Sequence, residues 1–235
     1  MSASTSLPGD REIILEKIRE ALQQEAPLKH PAERSAGGEP TTAHFREWLP
    51  PVGVRLEDRL ELFTRLSENL KTELHLCEDL GSAALQLERL AVECQWKRLA
   101  LHRGELCNGL DRLLPASLER FFVDEGYDKN VLESCDAGLS ECELLVAQTG
   151  SVCVTGPSSG GRVLSVLPAH HVVVARRSQL VTDLSEAYAT LAAKYRGRYP
   201  SMISFITGPS RTGDIERILV LGAHGPKRLT LLLLP

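Results

Sequence analysis

The stretch HVVVARRSQLVTDLSEAYATLAAKYRGRYPSMISFI, residues 171–206, decides the fold class of this chain. It opens with an uninterrupted apolar run over His171–Ala175, continues into a helix-length amphipathic segment over 182–195, and returns to an apolar run over 202–206. A continuous run of Val residues is typical of a strand that is buried on both faces of a sheet. Strand, helix and strand in this order form the βαβ unit of a parallel sheet.

The same alternation extends from this stretch in both directions. Apolar periodicity predicts helices over residues 56–74, 83–94 and 116–124, strands over 74–77, 98–102, 218–221 and 229–233, and a hairpin whose strands are 143–148 and 151–155. We therefore predict an α/β fold with three α/β/α layers, in which helices cover both faces of a mostly parallel sheet.

The amino-terminal part has a different character. Asp10 can cap a helix that runs to about residue 24, and Pro and Gly residues then interrupt any long element as far as Gly53. We predict two parts, a helix with a Pro/Gly-rich linker over 1–53 and an α/β domain over 54–235.

Composition excludes several classes of protein. The net charge of −4 and the pI of about 6.0 give no basic surface for nucleic acid. No apolar run approaches the roughly 20 residues of a membrane span, and the amino terminus lacks a secretory pattern, so we expect a cytoplasmic protein. The six cysteines form no C-x-x-C pair. We therefore predict reduced, mostly buried thiols, no metal and no bound cofactor.

Four polar segments follow apolar ones and are candidates for ligand binding: 147–151, 156–162, 206–216 and 222–226. Glycines let backbone N–H groups turn toward an anion, hydroxyls add donors, and arginine supplies a counter-charge. A parallel sheet delivers the carboxyl ends of its strands to one edge, so we expect 149–162, 207–214 and 222–226 to meet in one crevice that holds a small anion. The candidate residues are Thr149, Gly150, Gly160, Arg162, Thr207, Gly208, Ser210, Arg211, Thr212, Asp214, His224 and Gly225.

Each candidate also has a purely structural interpretation. Thr149-Gly150 suits the tip of a hairpin, and 156–162 suits a surface loop. Arg211 can pair with Asp214 or Glu216 inside its own turn instead of clamping an anion. His224 is a candidate proton shuttle or anion donor, whereas His171 fits a satisfied buried histidine. We assign no catalytic residue.

Five stretches of the chain, some of them within these polar segments, together resemble the LUD-domain family of the lactate utilisation protein C type. The stretches are 147–150, 165–168 with His171, 178–179, 206–216, and 219–222 with 224–226. The resemblance covers residues 130–235. It implies a fold like those of ribose-phosphate isomerases and CoA transferases, and work in an L-lactate oxidation system beside iron–sulfur partner proteins. Clusters in those partners agree with the lack of cluster-type cysteine spacing here.

One departure from the family pattern bears on function, because this chain has Gln148 where the family usually has glutamate. Glutamine can neither form an acyl anhydride nor exchange a proton near neutral pH. Two functions stay open. The first is an accessory or ligand-binding subunit of a lactate-oxidising system, and the second is a transferase or isomerase that acts on a phosphorylated or CoA-linked metabolite. Whether the chain is an enzyme is not decided by its sequence.

Overall fold

The computed structural model describes residues 10–23, 49–215, 218–221 and 225–235. The chain divides into two compact units, residues 1–47 and 48–235. In the first unit, helix α1 is Asp10–Gln23, and Ile13, Ile14 and Ile18 on it are exposed. The predicted linker falls mostly on residues 24–48, outside the described residues. None of the described helices is long and apolar enough to cross a membrane.

The second unit contains the remaining elements. The helices are α2 (Leu56–Leu70), α3 (Leu80–Glu93), α4 (Glu105–Asp111), α5 (Lys129–Glu133) and α6 (Leu184–Tyr195). The strands are β1 (Thr72–Leu76), β2 (Arg98–Leu101), β3 (Glu119–Phe122), β4 (Ala137–Glu141), β5 (Leu144–Val146), β6 (Ser151–Thr155), β7 (His170–Arg176), β8 (Leu180–Val181), β9 (Ile203–Ile206), β10 (Arg211–Ile215), β11 (Ile218–Leu221) and β12 (Arg228–Leu234).

Six strands form one central sheet in the order β1-β12-β7-β4-β2-β3, and every pairing in it is parallel. The apolar run over His171–Ala175 lies in its third strand, where Val172, Val173 and Val174 are fully buried. The predicted α/β fold with a mostly parallel sheet is confirmed. Strand β12 lies between β1 and β7, so the first and last strands of the central sheet in chain order are neighbours at one side of it.

A second sheet holds four strands in the order β8-β5-β6-β9. Here β5 and β6 form the predicted antiparallel hairpin around Thr149-Gly150, and β9 pairs antiparallel with β6. Strands β10 and β11 form a separate antiparallel hairpin. Strands β6, β9 and β11 therefore lie outside the parallel sheet, which affects every polar segment that follows them.

The core has one cluster on one face of the central sheet and two on the other, and a fourth lies on the outer side of the smaller sheet. On one face, α3 and α4 pack on side chains that include Leu101, Leu139 and Val172. On the other face, Phe63 of α2 and the inner side of the four-stranded sheet pack on Val173 and Leu231. Helix α6 covers the outer side of that smaller sheet. On the same second face, α5 packs on β2. The second face is thus covered by two helices and a sheet, where helices alone were expected.

Two element predictions in the amino-terminal half are wrong. The helix predicted over 116–124 is strand β3 followed by a 3-10 turn over Val123–Glu125. Strand β4 was not predicted, because its residues AGLSE include no β-branched side chain. Its small residues have a structural reason, since a Cβ on Gly138 would lie 2.8 Å from the carbonyl oxygen of Leu164.

Candidate functional site

The polar segments do not meet at the carboxyl edge of the parallel sheet, as the sequence had suggested. The segments over 156–162 and 207–214 follow β6 and β9, which belong to the antiparallel sheet. The rule that collects loops at one edge applies to parallel strands only. The segment over 222–226 follows β11, and His224 lies outside the described residues. The structure therefore separates loops that were predicted to converge.

Part of the predicted set does converge, at the amino ends of β7 and β12. A cavity of about 150 Å³ lies there. We call it the amino-edge cavity. It is lined by Ser165, His171, Ile206, Gly208, Pro209, Ser210, Gly225, Pro226 and Leu229. Three predicted ligand-binding residues, Gly208, Ser210 and Gly225, are thus brought together. The backbone N–H of Ser210 donates to the carbonyl of Pro226 at 2.9 Å and joins the two segments.

His171 is the buried titratable group of this cavity. Its side chain is 1% exposed, and its Nε2 lies 2.8 Å from the hydroxyl of Ser140. Its Nδ1 has no hydrogen-bond partner among the described residues. Burial, with a smaller contribution from His170, lowers the pKa of His171 to about 3. The ring is therefore neutral at pH 7, with one N–H donor and one acceptor nitrogen.

Three predicted residues hold the hairpin tip in place beside the cavity. The hydroxyls of Thr149 and Ser151 lie 2.7 Å apart, and those of Ser151 and Thr207 lie 2.8 Å apart. Gly150 has a φ of +63°, and a Cβ there would lie 3.0 Å from Cβ of Leu66 in α2. Thr149, Gly150 and Thr207 thus join β6, β9 and α2, a structural role that supports the cavity wall at Gly208.

Arg211 is not among the residues that line the cavity, and its role as an anion clamp stays a prediction. Its guanidinium donates to the carbonyl of Leu70, the last residue of α2. A cation at this position satisfies a free carbonyl of the helix end and is favoured by the helix dipole. Arg211 is the first residue of β10, and Thr212 and Asp214 lie on the same strand.

Gly160 and Arg162 lie elsewhere in the molecule. Gly160 has a φ of +61°, and a Cβ there would lie 2.5 Å from Cβ of His102, which directly follows β2. Arg162 donates to the carbonyl of Ser201 at 2.7 Å. Gly160 therefore lies at the carboxyl edge of the parallel sheet, whereas the amino-edge cavity lies at the opposite edge.

The carboxyl edge carries a group with metal-ligand side chains that sequence reasoning missed. One ligand atom from each of His102, Cys107 and Glu141 lies within 4.8 Å of the others. Two of these ligand atoms already accept hydrogen bonds from the backbone. Oε1 of Glu141 accepts the backbone N–H groups of Leu106 and Cys107 at 2.7 and 3.1 Å. The N–H of Glu141 donates to Nε2 of His102 at 3.2 Å.

The protonation of this group also favours a structural role. Burial raises the pKa of the Cys107 thiol well above its usual range, so the sulfur is a protonated thiol at pH 7. The backbone at Gly104 also lies close to the Glu141 side chain, since a Cβ on Gly104 would lie 2.1 Å from Oε1 of Glu141. We interpret the group as a junction between β2, β4 and α4.

With this geometry established, comparison with known proteins identifies the carboxyl-terminal part of the chain. The family model of the LUD domain matches residues 124–234. This segment is similar to LUD domains.

Relatives of the LUD domain carry the name Lactate utilization protein C. The protein of that name from Shouchella clausii is 36% identical over 95 residues, which are 40% of this chain and 42% of that protein. The protein from Halalkalibacterium halodurans is 37% identical over 98 residues, 41% of this chain and 43% of that protein. This chain thus spans less than half the length of these relatives. The resemblance found in the sequence is confirmed over the LUD domain.

A solved structure has the same fold. A DUF162 family protein from Deinococcus radiodurans superimposes with a TM-score of 0.60 over 78% of this chain and 100% of that chain, at 18% identity. At this identity the likeness shows the fold alone. It extends the confirmed α/β architecture beyond the segment that matches the LUD domain.

The LUD-domain stretches recognised in the sequence assemble the amino-edge cavity. Ser165 and His171 come from one stretch, Ile206 to Ser210 from a second, and Gly225 with Pro226 from a third. Sequence reasoning placed Gly208, Ser210 and Gly225 in a site but missed Ser165 and His171. The signal was available, because both residues belong to a stretch that carries the family resemblance.

The departure at Gln148 also has a structural account. Its side-chain Nε2 donates to the carbonyl of Pro50 at 3.1 Å, and its backbone N–H donates to the carbonyl of Thr182 at 3.0 Å. A carboxylate is an acceptor only and cannot donate to Pro50. In this chain the amide therefore holds the segment before α2 against the hairpin.

Proposed function

We propose that this chain is an accessory, ligand-binding component of a lactate-utilisation system, and that the amino-edge cavity takes a small hydroxycarboxylate such as lactate. The observation that carries the proposal is the assembly of one cavity from three separate LUD-domain stretches. The names of the relatives support the system to which the ligand belongs.

The size and chemistry of the cavity suit such a ligand. A protein cavity of about 150 Å³ is large enough for a molecule the size of benzene, which is comparable to a three-carbon hydroxy acid. The described lining carries the hydroxyls of Ser165 and Ser210 and the neutral ring of His171, and none of the described lining residues is charged. A hydroxy acid offers a hydroxyl donor and carboxylate acceptors, which match hydroxyl and imidazole groups.

An accessory role fits this chain better than covalent catalysis. The family glutamate is replaced by Gln148, whose amide is engaged with the backbone of Pro50. An acyl-transfer mechanism through that position lacks its nucleophile. The proposal accordingly places the oxidation chemistry in iron–sulfur partner proteins in the cytoplasm, with this chain supplying ligand binding.

Calorimetric titration with L-lactate tests the binding site. We expect wild-type protein to bind and Ser210→Ala to bind about threefold to tenfold more weakly, because one hydrogen bond contributes about 0.5–1.5 kcal/mol. The backbone bond of Ser210 to Pro226 persists in this variant. Ser201→Ala is the matched control, since Ser201 is exposed and lies outside the cavity lining.

Two results would contradict the binding proposal: no heat with L-lactate, D-lactate or pyruvate, or equal affinities for wild type and Ser210→Ala. The partner proposal has its own measurement. Tagged protein purified from its native host should carry along proteins with bound iron and acid-labile sulfide. If the purified sample contains no more iron than an untagged control, the proposal of iron–sulfur partners is contradicted. The proposal of a ligand site is not affected by that result.

A further inference from the structure

A second cavity lies at the amino edge of the parallel sheet, on the face opposite His171. Its volume is about 370 Å³. We call it the Cys94 cavity, and the residues of its lining used here are Cys94, Trp96, Cys135, His170, Lys227 and Arg228. His170 precedes His171 on β7, so the two side chains point to opposite faces of the sheet. The ring of His170 packs edge-on against Trp96, with centroids 5.1 Å apart.

Cys94 differs from the other five cysteines. The other five are buried, whereas Cys94, at the carboxyl end of α3, is partly exposed. Burial raises the pKa of Cys135 to about 11 and that of Cys153 to about 12, which keeps both as unreactive thiols. Cysteines that react with disulfides are partly exposed and lie beside a cation.

Such a cation is fixed beside Cys94. Nη1 of Arg228 lies 2.6 Å from Sγ of Cys94. The same guanidinium donates from Nη2 to both carboxylate oxygens of Glu73, at 2.7 and 2.9 Å. This bidentate pair holds the guanidinium in place, so the thiol meets an oriented positive charge. Lys227 adds a second cation to the same lining, which also holds two carboxylates. Of these, Glu133 pairs with Lys129 and Asp136 accepts two backbone N–H groups.

His170 provides an independent sign that the cavity takes a ligand. Its side chain is 3% exposed, and Nδ1 has no hydrogen-bond partner among the described residues. Nε2 lies 2.7 Å from the hydroxyl of Thr230, and that hydroxyl donates its one hydrogen to Glu73 at 3.2 Å. Nε2 must therefore carry the proton of the neutral ring, which leaves Nδ1 as an acceptor that lacks a donor.

We propose that Cys94 is a thiol–disulfide exchange site for a small anionic peptide disulfide of the glutathione type. Carboxylates of such a ligand suit Lys227 and Arg228, and its peptide N–H groups supply the donor that Nδ1 of His170 lacks. The Cys94 thiol gives its proton to solvent, and its sulfur attacks one sulfur of the disulfide. A mixed disulfide forms, the original S–S bond breaks, and the second half of the ligand leaves as a thiolate that takes up a proton.

The test exposes the intact, reduced protein to oxidised glutathione and maps the adduct by mass spectrometry. We expect one glutathionyl group per chain, on Cys94, and none on Cys94→Ser. Cys135→Ser is the matched control, because Cys135 lines the same cavity but is buried, and it should be modified as fast as wild type. An adduct that persists in Cys94→Ser, or that disappears in Cys135→Ser, would overturn the assignment.

A second variant tests whether the charge of the cavity speeds the reaction of Cys94, or whether exposure of the thiol alone accounts for it. Arg228→Gln removes the charge and should slow modification about tenfold, provided that circular dichroism shows the wild-type fold. Equal rates in the two proteins would show that the cavity does not assist the thiol and would overturn the proposal. Where Arg228→Gln does not fold, Lys227→Gln serves in its place, with a slower reaction expected and an unchanged rate again contradicting the proposal.

Discussion

The amino edge of the parallel sheet differs from the part of the carboxyl edge that lies beyond β2 and β4. At the carboxyl edge, His102, Cys107 and Glu141 bond to one another and to the backbone, and Gly104 and Gly160 bring the chain into close contact with them. At the amino edge the described residues form a cavity on each face, and each cavity is lined by a buried histidine with a nitrogen that lacks a hydrogen-bond partner among those residues.

Open α/β sheets commonly bind ligands beyond the carboxyl ends of their strands. In this protein the part of that edge beyond β2 and β4 is filled by its own side chains, whereas a cavity of about 330 Å³ lies beyond the carboxyl ends of β7 and β12. The comparison teaches that the edge suited to a ligand is set by where unsatisfied polar groups remain, because buried polar groups without partners are costly.

Acid should destabilise the amino edge most. The pKa values of His170 and His171 are lowered to about 4 and about 3, against about 6.5 in the unfolded chain. Their contribution to stability is complete above pH 6.5 and is lost as pH falls toward the folded-state values, because the unfolded state binds the proton first. At pH 5 we expect the free energy of unfolding to be lower by about 4 kcal/mol for the pair.

Urea titrations at pH 7 and pH 5 measure this loss, and histidine variants apportion it between the edges. His171→Gln should remove about half of the pH-dependent loss. His102→Gln should remove less, because carboxylates of Glu141 and Asp124 partly offset the burial that lowers the pKa of His102. A larger change from His102→Gln than from His171→Gln would refute the contrast between the edges.

Crowding at the carboxyl edge should make Gly160 sensitive to a single methyl group. Gly160→Ala places a Cβ 2.5 Å from Cβ of His102 and 2.6 Å from a methyl carbon of Val123. Gly161 is the matched control, since its φ of +103° is also left-handed but nothing lies within 4 Å of its Cβ position. We expect Gly160→Ala to cost about 2 kcal/mol more than Gly161→Ala in urea unfolding. Equal costs would mean that backbone conformation alone matters there.

Restoring the family glutamate at Gln148 should weaken the protein without adding an activity. Gln148→Glu loses the bond to Pro50 and places a carboxylate against its carbonyl, at a cost of about 1–2 kcal/mol. Turnover with acyl-CoA donors should stay at background in both proteins. Activity about a hundredfold above background in Gln148→Glu would instead identify the position as catalytic.

Substitution of Arg211 has the smallest expected effect on stability, and it distinguishes the cap on α2 from the anion clamp. As a cap on α2, Arg211→Ala should cost about 0.5–1 kcal/mol of stability and leave lactate affinity unchanged. Arg211→Lys should recover part of that stability, because it keeps a cation at the helix end. A tenfold to hundredfold loss of affinity in Arg211→Ala would restore the anion-clamp interpretation drawn from sequence.

Local sequence patterns predicted most of the fold. The apolar run at His171–Ala175 and the hairpin at Thr149-Gly150 were placed correctly, because buried strands and tight turns have local signals. The pairing of β6 and β9 was not predictable, because an apolar strand of five residues looks the same in a parallel and an antiparallel sheet.

The candidate site was predictable only in part for the same reason. Gly208, Ser210 and Gly225 were identified as residue types that bind ligands, and the structure brings them together. Arg211 was assigned to a ligand because its partner, the carbonyl of Leu70, is distant in sequence and becomes adjacent only through the fold. His171 was considered structural because nothing in its own stretch shows which of its nitrogens lacks a partner.

The placement of β12 has a consequence for synthesis of the protein on the ribosome. Strand β1 pairs with β12 in the central sheet, and β12 in turn pairs with β7. The ladder that joins the first strand of this sheet to the rest therefore closes only when residues 228–234 have left the ribosomal tunnel. Until then β1 has no neighbour in that sheet, and the nascent chain presents an open strand edge of the kind that promotes association between chains. Pairing of β1 in the central sheet thus has to wait until the segment over 228–234 has been made.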